Sequence, residues 1–107
     1  MSLAYALEDA HRTPREAVDC RSRIWTDALP ARDALIVNIS PHGCMIRSDR
    51  AAPIGTRLTV DVPGIGAQRG TVIWSLGARL GIEFETAIEL APFIAMLSLL
   101  RGPASIV

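Results

Sequence analysis

The sequence predicts a mainly β domain: six short antiparallel strands in a barrel or a sandwich, followed by one helix. Three observations carry that prediction. From Glu16 to Phe84, apolar residues recur at every second position in short runs. Clusters of Pro, Gly, Asn, Asp and Ser separate those runs at short, regular intervals. That spacing belongs to antiparallel sheets, because parallel strands need long crossovers. After Ile88 the alternation stops and a stretch rich in Leu, Ala and Met takes over, a composition that favours helix. The 107 residues suit one domain, and half of them are apolar, enough for one core.

The elements follow in order. Residues 1–15 have mixed charge and weak periodicity, and read as an arm with at most one helical turn around Ala4 to Asp9. The barrel domain is expected over residues 16–101. Val18, Cys20, Ser22 and Ile24 then fall on one face of a strand, with Asp19, Arg21 and Arg23 on the other. Asp27 to Asp33, with Pro30 inside it, is a loop. Ala34 to Ser40 and Gly43 to Ser48 are the next two strands, joined by the turn Ser40-Pro41-His42-Gly43. Pro41 fixes its own φ there, Gly43 can supply a positive φ, and the Asn38 and Ser40 side chains can hold nearby backbone N–H groups. A turn at Ala52–Gly55 precedes a fourth strand carrying Leu58, Val60 and Val62. Pro63–Gly66 turns the chain into a fifth strand, Gln68 to Trp74, and Ser75–Gly77 into a sixth, Arg79 to Phe84. Pro92 is tolerated only in a first helical turn, so the helix starts near Leu90 and runs to about residue 100. Leu90, Phe93, Ile94, Leu97 and Leu100 share one face of it, widened by Met96 and Leu99. Such a helix either caps the sheet or meets a second subunit, which leaves a homodimer as one reading. Residues 102–107 form a tail.

Composition excludes several function classes. Formal net charge is zero, which makes the chain a poor candidate for tracking the backbone of DNA or RNA. All eleven basic residues are Arg, each a planar fork suited to phosphates and guanine edges. Cys20 and Cys44 stand far apart without a Cys-x-x-Cys spacing, and read as reduced core residues of a cytoplasmic protein. The apolar run Ala91–Leu100 is about half the ~20 residues that a membrane span needs. His42 near Cys44 lacks the spacing of a closed zinc site. No catalytic constellation stands out, and Gly64-Ile65-Gly66 lacks the strand-to-helix setting of a phosphate loop. The expectation is a binding module without metal, cofactor or catalysis.

Two segments carry the chemistry. His11-Arg12-Thr13-Pro14-Arg15 offers guanidinium groups on an arm stiffened by Pro14, and Asn38-Ile39-Ser40-Pro41-His42-Gly43 offers a polar turn. Together they suit a ligand with both phosphates and purine edges. Arg47 alternates outward from the strand after the turn and is a further candidate. Trp74 either closes the core or offers a stacking face.

In this order of parts the chain resembles the PilZ domain family, which has an Arg-x-x-x-Arg motif before its first strand and an Asp/Asn-x-Ser-x-x-Gly motif at a strand turn. The segment from Asn38 to Gly43 matches the second motif at every defined position, and Gly70–Trp74 with Leu80–Phe84 is similar to the family's closing hairpin. The resemblance runs from about His11 to Leu100. It implies a six-stranded antiparallel β-barrel of the split-barrel type with a C-terminal helix, and a bacterial receptor for cyclic di-GMP that signals to a downstream protein in motility or biofilm regulation. By position it assigns Arg15, Asn38, Ser40 and Gly43 to the ligand. The first motif arginine falls on His11, and Arg12 stands one residue out of register. Arg12, or His11 when protonated, would take that place, and a protonated His11 implies binding that tightens as pH falls through about 6.5. The alternative is an adaptor of the same fold that binds no nucleotide and acts through protein contacts alone.

Overall fold

The computed structural model describes residues 16–101. Six strands, β1 (Glu16–Trp25), β2 (Arg32–Ser40), β3 (Gly43–Arg47), β4 (Arg57–Val62), β5 (Gly66–Leu76) and β6 (Arg79–Phe84), precede one helix, α1 (Leu90–Arg101). The strands close into an antiparallel barrel in the order β1-β2-β3-β6-β5-β4. This resolves the choice between barrel and sandwich. The expected arm at 1–15 and tail at 102–107 lie outside the described residues.

The interior is built from the alternation. Ile24, Ile36, Ile39, Cys44, Ile46, Val60, Val62, Val72, Leu80 and Ile82 are all 2 % exposed or less. Most are β-branched, which suits a pleated wall. Each fully buried side chain of this size stabilises by roughly 1.5–3 kcal/mol.

Four boundaries differ from the sequence expectation, the least of them the end of β3, at Arg47 in place of Ser48. β2 starts at Arg32, two residues early, because Ile24 and Arg23 of β1 pair with Arg32 and Asp33. β5 runs from Gly66 to Leu76, longer at both ends, because β4 pairs with it as far as Val62↔Gly66 and β6 as far as Leu76↔Arg79. Its last turn is therefore Gly77-Ala78, with Gly77 at φ 60°. Backbone ladders extended past residues whose own propensity marked a turn.

Closure between β1 and β4 is brief. Only Ile24↔Val60 and Trp25↔Thr59 pair there. Just beyond, the buried Ser22 hydroxyl donates to the Asp61 carbonyl, bridging the strands where their ladder has ended. Val18, Cys20, Ile65, Leu97 and Leu100 pack against the core as partly buried groups. Cys20 and Cys44 are not joined by a disulfide, and burial followed by the carboxylates of Asp19 and Asp61 pushes the Cys20 thiol up from its ordinary 9.0.

Helix α1 caps the barrel, on a narrower face than expected. Phe93 and Met96 are buried, and Leu97 and Leu100 half-buried, which is the i, i+3, i+4, i+7 stripe. Leu90, Ile94 and Leu99 remain 66 %, 53 % and 71 % exposed. The sequence expectation placed Leu90 and Ile94 on the buried face. The helix touches β1 and the β4–β5 turn, where Met96 lies beside Gly64, and so narrow a seat covers only one stripe. No helix among the described residues is long and apolar enough to cross a membrane.

Candidate functional site

The β2–β3 hairpin is a two-residue connection, Pro41-His42, flanked by the paired residues Ser40 and Gly43. Ser40 is buried. Its hydroxyl accepts the His42 N–H at 3.2 Å and faces the Gly43 carbonyl at 3.5 Å. The turn is thus closed by its own serine, a local side-chain bond of the kind that makes Ser a turn residue. Two main-chain bonds tie it to the end of the barrel. The Phe84 N–H donates to the His42 carbonyl and the Ile88 N–H to the Pro41 carbonyl, both at 2.8 Å. Ile88 leads directly into α1.

Gly43 does not use the positive φ that a glycine can supply at this turn. The described glycines with positive φ are Gly55, Gly64, Gly66 and Gly77. Gly43 is required by space instead, because a Cβ there would run into the Ile82 carbonyl oxygen of β6.

The outer wall is organised in rows across the strands. Ala17 of β1 pairs with Asn38, Asn38 with Met45, Met45 with Gly81, and Gly81 with Trp74. Asn38 and Met45 are half-buried, and Ile39 beside Asn38 faces inward at 0 % exposure. A Cβ on Gly81 would fall on the Trp74 indole. Trp74 therefore lies across Gly81 as a closing residue of the wall. Sequence reasoning did not single out Met45 or Gly81, although a glycine inside a strand is a known signal for close approach. It also passed over Glu83, an exposed carboxylate directly opposite Gly43.

The leader joins the barrel at this corner. β1 begins at Glu16, whose partner is Ile39, and Ala17 is the partner of Asn38. The first described residue of the chain is thus placed between the levels of Asn38 and Ser40. His11, Arg12 and Arg15 themselves lie outside the described residues. Arg47 is exposed on the same outer wall, two residues beyond Met45, or about 6–7 Å along the strand. It stands one row further from the turn, between Leu35 and Arg79.

Among the described residues no three His, Cys, Asp or Glu side chains gather as a metal site. The arrangement offers what a binding surface needs: a rigid polar corner, a flat outer wall and a leader joined beside both. The model of one family, described as the PilZ domain, matches residues 11–101 of the chain. No curated protein matches it.

Proposed function

The chain belongs to the PilZ domain family, and on that premise we propose that it is a bacterial cyclic di-GMP receptor that converts binding into a change of protein contacts. The observation that carries the proposal is the pairing of Glu16 with Ile39. Arg15 is one peptide bond from Glu16, a Cα step of 3.8 Å. A long guanidinium side chain tethered there is within reach of the Asn38–Gly43 corner. Arg12 and Arg15 neutralise the phosphates, and the Asn38 amide reads a guanine edge. Ser40 acts by holding the turn, since its hydroxyl is already engaged within it. Gly43 keeps the surface flat beside it. His11 and Arg47 are secondary contacts in this reading.

Output follows from the wiring of the turn. Ordering of the 1–15 arm over the outer wall creates a new surface for a downstream protein. The bonds from Phe84 and Ile88 to the turn carry strain at the corner toward α1. The exposed Leu90 and Ile94, one turn apart on that helix, offer a face for a second copy of the chain. The module acts by binding, without catalysis, cofactor or nucleic acid, in the cytoplasm, and its family points to motility or biofilm control.

A second reading is the adaptor that binds no nucleotide. It is favoured by His11 at the first arginine position and by the Glu83 carboxylate opposite Gly43, which repels phosphate. Titration calorimetry with cyclic di-GMP separates the two. Saturable heat that weakens about tenfold to a hundredfold in Arg15→Ala supports the receptor, as expected for one lost charge-assisted bond of about 1.5–3 kcal/mol. No heat at tens of micromolar ligand, roughly the 6–7 kcal/mol range of affinity, leaves the adaptor.

A further inference from the structure

We propose that the outer-wall row Arg21–Leu35–Arg47–Arg79 is a docking surface for an extended segment of a partner protein with the pattern acid-x-apolar-x-acid. The register assembles the row: Arg21 pairs with Leu35, Leu35 with Arg47, and Arg47 with Arg79. Four adjacent strands thus present three guanidinium groups and one leucine in a line. At a strand spacing of about 4.8 Å the line is about 14 Å long.

The arginines have no internal role. All three are exposed, and none makes an ion pair or side-chain hydrogen bond among the described residues. Elsewhere on the barrel Arg57 and Arg69 converge on Glu85, at 2.8 and 3.4 Å. Arg47 and Arg79 stand directly opposite each other, and like charges in that position destabilise a sheet. Thr or Val would serve an outer strand position better. A row that costs stability and satisfies nothing inside the fold fits an anionic occupant from outside.

The surroundings say what kind. The row borders an open groove of about 450 Å³ whose lining includes Ala34, Leu35 and Ala78 as well as Arg21 and Arg47. Asp33 and Asp49 also line it. Asp33 is the cross-strand partner of Arg23, and Asp49 lies just beyond the end of β3. Those two carboxylates oppose a uniformly charged polymer, which carries a phosphate every ~3.4 Å per strand. A protein segment can place its acids selectively. In an extended chain, side chains on one face recur every 6.6–6.8 Å. Acid, apolar and acid at alternate positions then fall near 0, 7 and 13 Å. Along the row, Arg21 is at 0 Å, Leu35 near 5 Å, and the midpoint of Arg47 and Arg79 near 12 Å, on the ~4.8 Å spacing. The second acid meets two guanidinium groups at once.

The test uses the full chain without nucleotide and a fluorescent peptide, Ser-Glu-Ser-Leu-Ser-Glu-Ser. The proposal expects saturable anisotropy, amide shifts centred on Leu35, Arg47 and Arg79, affinity falling with salt, and at least a tenfold loss in the double variant Arg47→Ser/Arg79→Ser. A peptide with Lys in place of both Glu should not bind. Arg79→Thr alone should melt higher than wild type, which also checks that the row variants fold. Absence of binding, or binding unchanged in the double variant, overturns the proposal. So does a single-stranded oligonucleotide or an anionic vesicle that binds the row more tightly than the peptide. So does an Arg79→Thr variant that melts lower. Because no nucleotide is present, failure here leaves the receptor reading untouched.

Discussion

Replacing Gly43 by alanine sets two physical effects against each other, and the structure says which is larger. Gly43 has a negative φ, so alanine meets no backbone strain there. By that criterion alone the change should stabilise by about 0.4–1 kcal/mol, because the unfolded chain loses freedom. The new Cβ, however, would overlap the Ile82 carbonyl oxygen, and would sit 3.2 Å from the Ile82 carbonyl carbon and 3.3 Å from the Glu83 Cα. All three atoms are main chain, in a strand held by β3 on one side and β5 on the other. No rotamer change relieves the contact, so β3 and β6 must part. Forced overpacking of this kind costs about 1–3 kcal/mol, which outweighs the unfolded-state gain. For a domain of this size each 1 kcal/mol lowers Tm by about 4–8 °C. Thermal melting followed by Trp25 and Trp74 fluorescence should therefore show Gly43→Ala melting clearly below wild type. Binding should suffer too, because the residue that moves is the partner of Ser40. A Gly43→Ala protein as stable as wild type, or more so, would refute the close-approach argument.

Further expectations can be checked on the same material. Ser22→Ala removes the donor that bridges β1 to the Asp61 carbonyl, and should cost about 1–2 kcal/mol in urea denaturation. The Cys20 thiol is held above its ordinary 9.0, so the fold favours its neutral form. That contribution is complete below the ordinary value and is lost as pH rises through the folded one. The Tm advantage of wild type over Cys20→Ala should thus shrink as pH rises past 9.0. On α1, Met96→Ala should cost about 2–5 kcal/mol, as a large-to-small change at a fully buried site. Leu99→Glu, on the exposed side, should change stability by less than about 0.5 kcal/mol. If the Leu90–Ile94 side of α1 joins two copies, Ile94→Glu reduces the mass seen by light scattering, whereas an unchanged mass assigns the helix to capping alone.

Much of this fold was legible because the barrel wall has one wet and one dry side. A period of two then writes each strand into the sequence, and all six were found with their order intact. What propensity could not supply is where a ladder stops. Gly66 and Leu76 look like turn neighbours, yet the strands beside them were long enough to pair with both. The face of α1 was misjudged for a related reason. A thirteen-position run from Ile88 to Leu100 is apolar nearly all round, so periodicity alone cannot rank its sides. The seat on β1 and Gly64 does so, and it selects Phe93 and Met96 over Leu90 and Ile94.

The candidate site shows a sharper limit. Asn38, Ser40 and Gly43 were legible as types, and the structure divides their work. Ser40 closes the turn, Gly43 admits β6, and Asn38 stands on the outer wall in line with Met45 and Gly81. These roles depend on register, and register here carries two irregularities, between Ala17 and Cys20 of β1 and between Ile36 and Asn38 of β2. A bulge shifts which residues share a face without leaving a compositional trace. The second of them separates inward Ile36 from inward Ile39 by three residues, which turns Asn38 outward. A strand without it would alternate strictly from Ile36 and place Asn38 in the core. The polar corner therefore owes its outward face to that one extra residue, and the same residue sets the offset between the Asn38 row and the arginine row below it.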